Sequence, residues 1–189
     1  MRRVKAALSN SQTALIGPNS QGVLTPGQCK IGVMPTRDAK PGPIGIASRS
    51  ASLTSEVLAR FSAANLGQST TVGIGGEVLH GMGFVDCLKK FHEDSETKVV
   101  VLIGELGGQE EEEAEYLVSV NYNKPVIAVV VGRHAPIGRL MGHAGKMSVL
   151  GSATAKEKIE ALKSAGVLIA NDIEDVAETV RSAYDAVAM

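Results

Sequence analysis

The chain has 189 residues, 44% of them hydrophobic, which suits one domain with a sizeable core. Lys and Arg number 19 against 20 Asp and Glu, and a net charge of −1 argues against nucleic-acid or membrane partners. Aromatic residues are only 3% and Trp is absent, so base-stacking platforms and aromatic cages are disfavoured and the core must be aliphatic.

Residues 1–16 lack any acid and open Met1-Arg2-Arg3-Val4-Lys5, a composition that transit peptides share. A short helix or linker ahead of the first strand is the preferred reading. Short, β-branched apolar runs then alternate with helical patterns. The runs cover 13–16 (ended by Gly17-Pro18-Asn19), 44–47, 69–74, 98–103, 126–131 and 167–170. Near-continuous apolar runs of this length fit strands covered on both faces, as in a parallel sheet. Leu53, Val57, Leu58 and Phe61 form one helical stripe, with Gly67 as its expected C-terminal stop. Phe84, Leu88 and Phe91 form a second. Residues 109–121 predict a third helix, opening with four glutamates that read as a solvated first turn. Residues 153–165, ended by Gly166, predict a fourth, and Ile173, Val176, Ala177, Val180 and Tyr184 a last one with Asp172 as N-cap. This alternation predicts an α/β fold: a flavodoxin-like, doubly wound parallel sheet with helices on both faces.

Two stretches resist that grammar. Residues 17–43, rich in Gly, Pro and Lys, predict an ordered arm or long loop. Residues 132–152 run from strand to helix through many glycines, and a loop of about 20 residues inside a compact domain is usually functional or disordered. In its middle stands Met141-Gly142-His143-Ala144-Gly145. Glycines strip cover from the imidazole, whose ring nitrogen is neutral and nucleophilic near pH 7. The alternative is a turn that happens to hold a histidine.

In open α/β sheets, ligands sit beyond the carboxyl ends of the strands. Ser48-Arg49-Ser50-Ala51-Ser52 ends one strand and opens a helix, so free N–H groups and hydroxyls there make an anion site, or simply a serine N-cap. Glu105, at a strand end among glycines, needs a partner. It either orients His143 or caps a helix or pairs with an arginine. His80, His92 and His134 show no metal-ligand spacing with His143, and no metal site is expected. Cys29 and Cys87 show no metal spacing either and predict two free thiols in a reducing compartment.

These residues, in this order, resemble the alpha subunit of succinyl-CoA synthetase (succinate–CoA ligase). The shared signatures are Gly17-Pro18-Asn19, Lys30-Ile31-Gly32-Val33-Met34-Pro35, Ser48-Arg49-Ser50, Val72-Gly73-Ile74-Gly75-Gly76, Ile103-Gly104-Glu105-Leu106-Gly107-Gly108 and the His143 motif. ATP-citrate lyase shares several of them. The resemblance implies that His143 is phosphorylated during catalysis, that Glu105 contacts it, and that the phosphate rests on the helix opening at Ser50, Ala51 and Ser52. Departures are Ala51 for glycine, Ser52 for threonine, Ser55 for tyrosine and Ser20-Gln21 for Cys-Pro, with a basic residue lost around Ile137. A methyl at Ala51 is expected to crowd a phosphate held by backbone N–H.

The resembled subunit begins with a CoA-binding Rossmann domain. Residues 1–16 are expected to be the connector after it and the start of the first strand, and 17–189 a single ligase (phosphohistidine) domain, with the CoA-binding domain absent. CoA and ATP or GTP with magnesium are expected as substrates of the full complex, none of them held tightly by this chain, which alone is expected to be inactive. Expected partners are the beta subunit, the missing CoA-binding domain and a second copy of the chain. The expected location is intracellular, in the cytoplasm or mitochondrial matrix. The alternatives are a citrate-cleaving CoA lyase-type domain and a non-catalytic domain that keeps only the subunit-contact surface.

Overall fold

A computed structural model describes residues 2–77, 79–104, 110–120, 122–132 and 155–188. Among them, seven strands form one sheet in the order β2-β1-β4-β3-β5-β6-β7. These are β1 (Gly22–Thr25), β2 (Cys29–Gly32), β3 (Pro41–Ser48), β4 (Gln68–Gly73), β5 (Val99–Gly104), β6 (Val126–Val130) and β7 (Leu168–Ile169). β4, β3, β5, β6 and β7 run parallel, while β1 lies antiparallel to β4 and β2 antiparallel to β1. The helices are α1 (Arg2–Leu8), α2 (Ala51–Ala63), α3 (Phe84–Glu93), α4 (Glu110–Ser119), α5 (Ala155–Ser164) and α6 (Val176–Ala188). The predicted doubly wound architecture is what the chain adopts.

The period-two pattern of β5 shows why its run had to be apolar throughout. Val99, Val101 and Ile103 pack under Phe61 of α2 and Val180 of α6. Val100 and Leu102 pack on the other face, with Leu88 and Phe91 of α3 and Leu162 of α5. A polar residue on either face would be buried without a partner, whereas each aliphatic side chain buried here contributes about 1.5–3 kcal/mol.

The expected long loop over 17–43 is partly a hairpin. Pro26 and Gly27 (φ +78°) make a tight turn closed by Gln28 N–H to Thr25 O, 3.0 Å. The Pro-Gly signal was in the sequence, but strands of four residues are too short to show a period. Conversely, the apolar run 13–16 is not a strand. Its backbone bonds the 81–82 segment, through Met82 N–H to Leu15 O (2.7 Å) and Gly81 N–H to Gly17 O (3.0 Å). The sheet position beside β4 is taken by β1.

Gly67 does not stop α2. Asn65, at φ +54°, reverses the chain there, and Leu66 N–H returns to Phe61 O at 2.8 Å. Gly67 instead lets β3 and β4 converge, because a Cβ on it would stand 2.1 Å from Pro41 O. Asp172 is not the N-cap of α6: its Oδ1 accepts from Glu174 and Asp175 N–H in a turn ahead of the helix, which starts at Val176.

Both cysteines are free, Cys29 exposed and Cys87 buried. Burial, reinforced by the charge of Asp86, pushes the Cys87 thiol up to about 12. Only the thiolate reacts, so alkylation of the native chain at pH 8 should modify Cys29 first. Cys87, buried and with its thiol pushed up, should lag far behind until the chain is denatured. Mass spectrometry of a timed iodoacetamide reaction reads this directly, and equal labelling of both would contradict it.

Candidate functional site

The carboxyl ends of four parallel strands meet at one sheet edge. Ser48 of β3 lies opposite Gly73 of β4 and Ile103 of β5, and Gly104 of β5 lies opposite Val130 of β6. The turn that follows β3 is tied to both neighbours. Arg49 N–H donates to Ile103 O at 3.0 Å, and Ile74 N–H donates to Ser48 O at 2.7 Å. Ser48 Oγ braces the turn from inside, accepting from Ser50 N–H and donating to Ser50 O, each at 3.1 Å. These bonds set where α2 begins.

Ser50 is the N-cap of α2, with extended torsions (φ −116°, ψ 116°). Its Oγ accepts from Leu53 N–H at 3.4 Å, a long bond for a cap. Serine capping, the plain reading of this segment, is therefore present but weak. Ser50 O is held firmly, by Thr54 Oγ1 at 2.6 Å and Thr54 N–H at 3.0 Å. Ser50 is buried, while Ala51 and Ser52 are exposed. Helix geometry leaves the Ala51 and Ser52 N–H groups without an acceptor in their own helix, at the positive end of its dipole. Chemically, this turn is suited to an anion that approaches from outside.

The segment 17–22 closes one side of the turn. Gly76 N–H donates to Asn19 O at 3.3 Å, and Ser20 Oγ donates to Gly73 O and accepts from Gly22 N–H. Gln21 Nε2 donates to Ala51 O at 2.9 Å. The sequence marks Gln21 only as a departure from the resembled pattern and gives it no contact, since its partner stands thirty positions away. It also gave Arg49 no role. Arg49 is 2% exposed and donates from Nη2 to Glu77 O at 3.2 Å. A charged residue directly after a buried apolar strand was the available signal.

Of the predicted site residues, Ser50, Ala51 and Ser52 lie together at this edge. Glu105 and His143 lie outside the described residues, as does His134. The residue before Glu105 is described: Gly104 ends β5 beside the α2 turn and accepts from Val131 N–H at 3.2 Å. His80 Nδ1 lies 3.1 Å from Glu77 O, and exposed His92 packs on Tyr122 with ring centroids 5.2 Å apart. Among the described residues, no cluster of three His, Cys, Asp or Glu side chains could hold a metal ion, and no helix is long and apolar enough to cross a membrane.

The CoA-ligase family model matches residues 47–168. The chain is 47% identical over 180 residues to a Staphylococcus epidermidis succinate–CoA ligase [ADP-forming] alpha subunit, and 46% identical to its Staphylococcus aureus counterpart. Each match covers 95% of this chain but 60% of the relative, so the chain spans about three-fifths of the length of these subunits. Among solved structures, ATP citrate lyase from Methanothrix soehngenii, in complex with citrate and coenzyme A, superposes with a TM-score of 0.88 at 28% identity. It covers 98% of this chain and 32% of that one. A dinucleotide-forming acetyl-coenzyme A synthetase from Ca. Korarchaeum cryptofilum, at 21% identity and TM-score 0.75, shares the fold over 96% of this chain and 38% of its own.

Proposed function

The chain belongs to the CoA-ligase family, and on that premise we propose that it is the phosphohistidine-bearing domain of a succinate–CoA ligase alpha subunit. In this reading a ring nitrogen of His143 attacks the γ-phosphorus of ATP or GTP, with magnesium as counter-ion; the N–P bond forms as the bond to the β-phosphate oxygen breaks, and ADP or GDP leaves. Glu105 accepts a hydrogen bond from the other nitrogen and so selects the one that attacks. The carboxylate of succinate then takes the phosphoryl group, freeing the histidine. The CoA thiol attacks the acyl carbon, a thioester forms, and phosphate leaves. A beta subunit supplies the nucleotide site, and the CoA-binding domain completes the complex.

The observation that carries this reading is the α2 turn. Two N–H groups without helical acceptors stand at the sheet edge where β5 hands the chain to Glu105. The 47% identity to a succinate–CoA ligase subunit, against 28% to the citrate lyases, favours succinate chemistry over citrate cleavage. The test is incubation of the chain, reconstituted with a beta subunit, with γ-labelled nucleotide. Label that is acid-labile and base-stable, and absent from His143→Ala, is the expected result. A complex that assembles and takes no label would instead favour an interaction domain without turnover.

The phosphate position has its own test. Inorganic phosphate should raise the melting temperature of the chain by mass action on the folded state. Ala51→Gly, which removes an exposed methyl beside the free N–H groups, should enlarge that rise, even though glycine lowers the unliganded melting temperature slightly. A phosphate response that is absent, or indifferent to Ala51→Gly, would remove this turn from the phosphate path.

A further inference from the structure

At the α2 turn, Gln21, Ser50 and Gly75 line a cleft of only about 10 Å³, the space of one water. A much larger hollow, about 340 Å³, lies between α3 and the 14–16 segment. Its floor is Val23 of β1 and Val72 of β4, which pair across the two strands. Cys87 and Phe91 of α3 form one wall. Ile16 and Met82 form the other, held in place by the Met82 N–H to Leu15 O bond. That size falls within the range of small-molecule sites, which are mostly apolar with a few placed polar groups.

The polar atoms in the lining are already committed. Thr70 Oγ1 shares a hydrogen bond with Thr25 Oγ1 at 2.8 Å. The Asp94 carboxylate accepts from Glu96 N–H at 3.0 Å and from Thr97 Oγ1 at 2.5 Å. An ordered water needs two to four polar partners, and this lining leaves it few. Lys90 is the exception. It is exposed at the hollow and makes no ion pair among the described residues. Its charge acts on the Cys87 thiol in the wall, so the ammonium stands over the apolar space. A helix, about 10–12 Å across with its side chains, is too wide for a hollow of this volume. An alkyl chain with an anionic head matches it in both shape and charge. We propose that the hollow is a binding site for a medium-chain monocarboxylate, with the alkyl chain on Val23, Val72 and Phe91 and the carboxylate paired to Lys90 Nζ. No residue of the α2 turn takes part, so this site stands apart from the ligase reading.

Octanoate is the probe. Titration calorimetry on the full chain should show one saturable site. Hexanoate, shorter by two methylenes, should bind about 15-fold more weakly, since each buried methylene contributes about fourfold. Lys90→Met should weaken octanoate binding about 3–5-fold, the scale of an exposed ion pair, and Lys90→Arg should restore it. Octan-1-ol, which has no charge, should bind the wild type and Lys90→Met alike. Lys89→Met, at a residue outside this lining, should change nothing. Ala14→Phe, at an exposed position on the rim, should block the site, and Ile16→Phe is a second blocker. The melting temperature of each variant confirms its fold. No saturable binding, more than one octanoate per chain, equal affinity in Lys90→Met and wild type, or binding that survives both blockers would each overturn the proposal. Displacement of octanoate by a beta subunit would also overturn it, by assigning the hollow to a subunit contact. Phosphohistidine formation is not read here, so this proposal and the ligase reading fail separately.

Discussion

Glu105→Gln is expected to slow the phosphorylation of His143 by about 10²-fold or more while leaving the fold intact, and His143→Ala to abolish it. Glutamine keeps the size of the side chain and can still hydrogen-bond. What it loses is the negative charge that, in the proposed role, holds one tautomer of the ring and stabilises the imidazole as positive charge develops on it. Groups of this kind contribute about 10²–10⁴-fold to rate. Glu105 directly follows Gly104, which ends β5 opposite buried Val130 of β6, so the substitution falls beyond the last paired residue of that strand. The measurement is the initial rate of label incorporation in the reconstituted complex, with the melting temperature recorded alongside. A rate within a few-fold of wild type would remove Glu105 from the role of orienting residue.

Gly75→Ala is expected to destabilise the chain by about 2–4 kcal/mol, the range of a strained backbone combined with a steric clash in a packed region. Gly75 sits at φ +100°, and a Cβ there would stand 2.1 Å from Pro18 O and 3.1 Å from Asn19 O. Neither carbonyl can give way cheaply, because the arm is pinned through Asn19 O and Ser20 Oγ to the end of β4. The substitution therefore displaces the wall of the α2 cleft. It should also weaken phosphate binding, if phosphate binds at that turn. Gly166 provides the control. It shares a positive φ of +85°, but nothing lies within 4 Å of its would-be Cβ. Gly166→Ala should then cost only the backbone term, about 1 kcal/mol. Urea denaturation of the two variants separates steric from torsional cost. Equal losses would mean that the arm yields, and that its contact with Gly75 contributes little.

Much of this molecule is legible in its residues because its main elements are locally overdetermined. A strand covered on both faces must be apolar at every position, so β5 and β6 announced themselves as unbroken Val, Ile and Leu runs. The α2 stripe fell at helical spacing, and Ser50 marked its start. The roles proposed for Glu105 and His143 rest on motif and family resemblance, and their placement lies outside the described residues. What tertiary structure decided was pairing at long range. Whether the run 13–16 or β1 takes the place beside β4 depends on which backbone reaches that edge, and both are short and apolar. Gly67 looked like a helix stop, and only the approach of β3 revealed a glycine needed for backbone contact. Gln21 meets Ala51 across thirty residues, and Ser20 meets Gly73 across fifty-three. Local sequence encodes torsions and faces over a few residues. It carries no distance between segments, and distance is what turned a glutamine in a loop into a wall of the cleft.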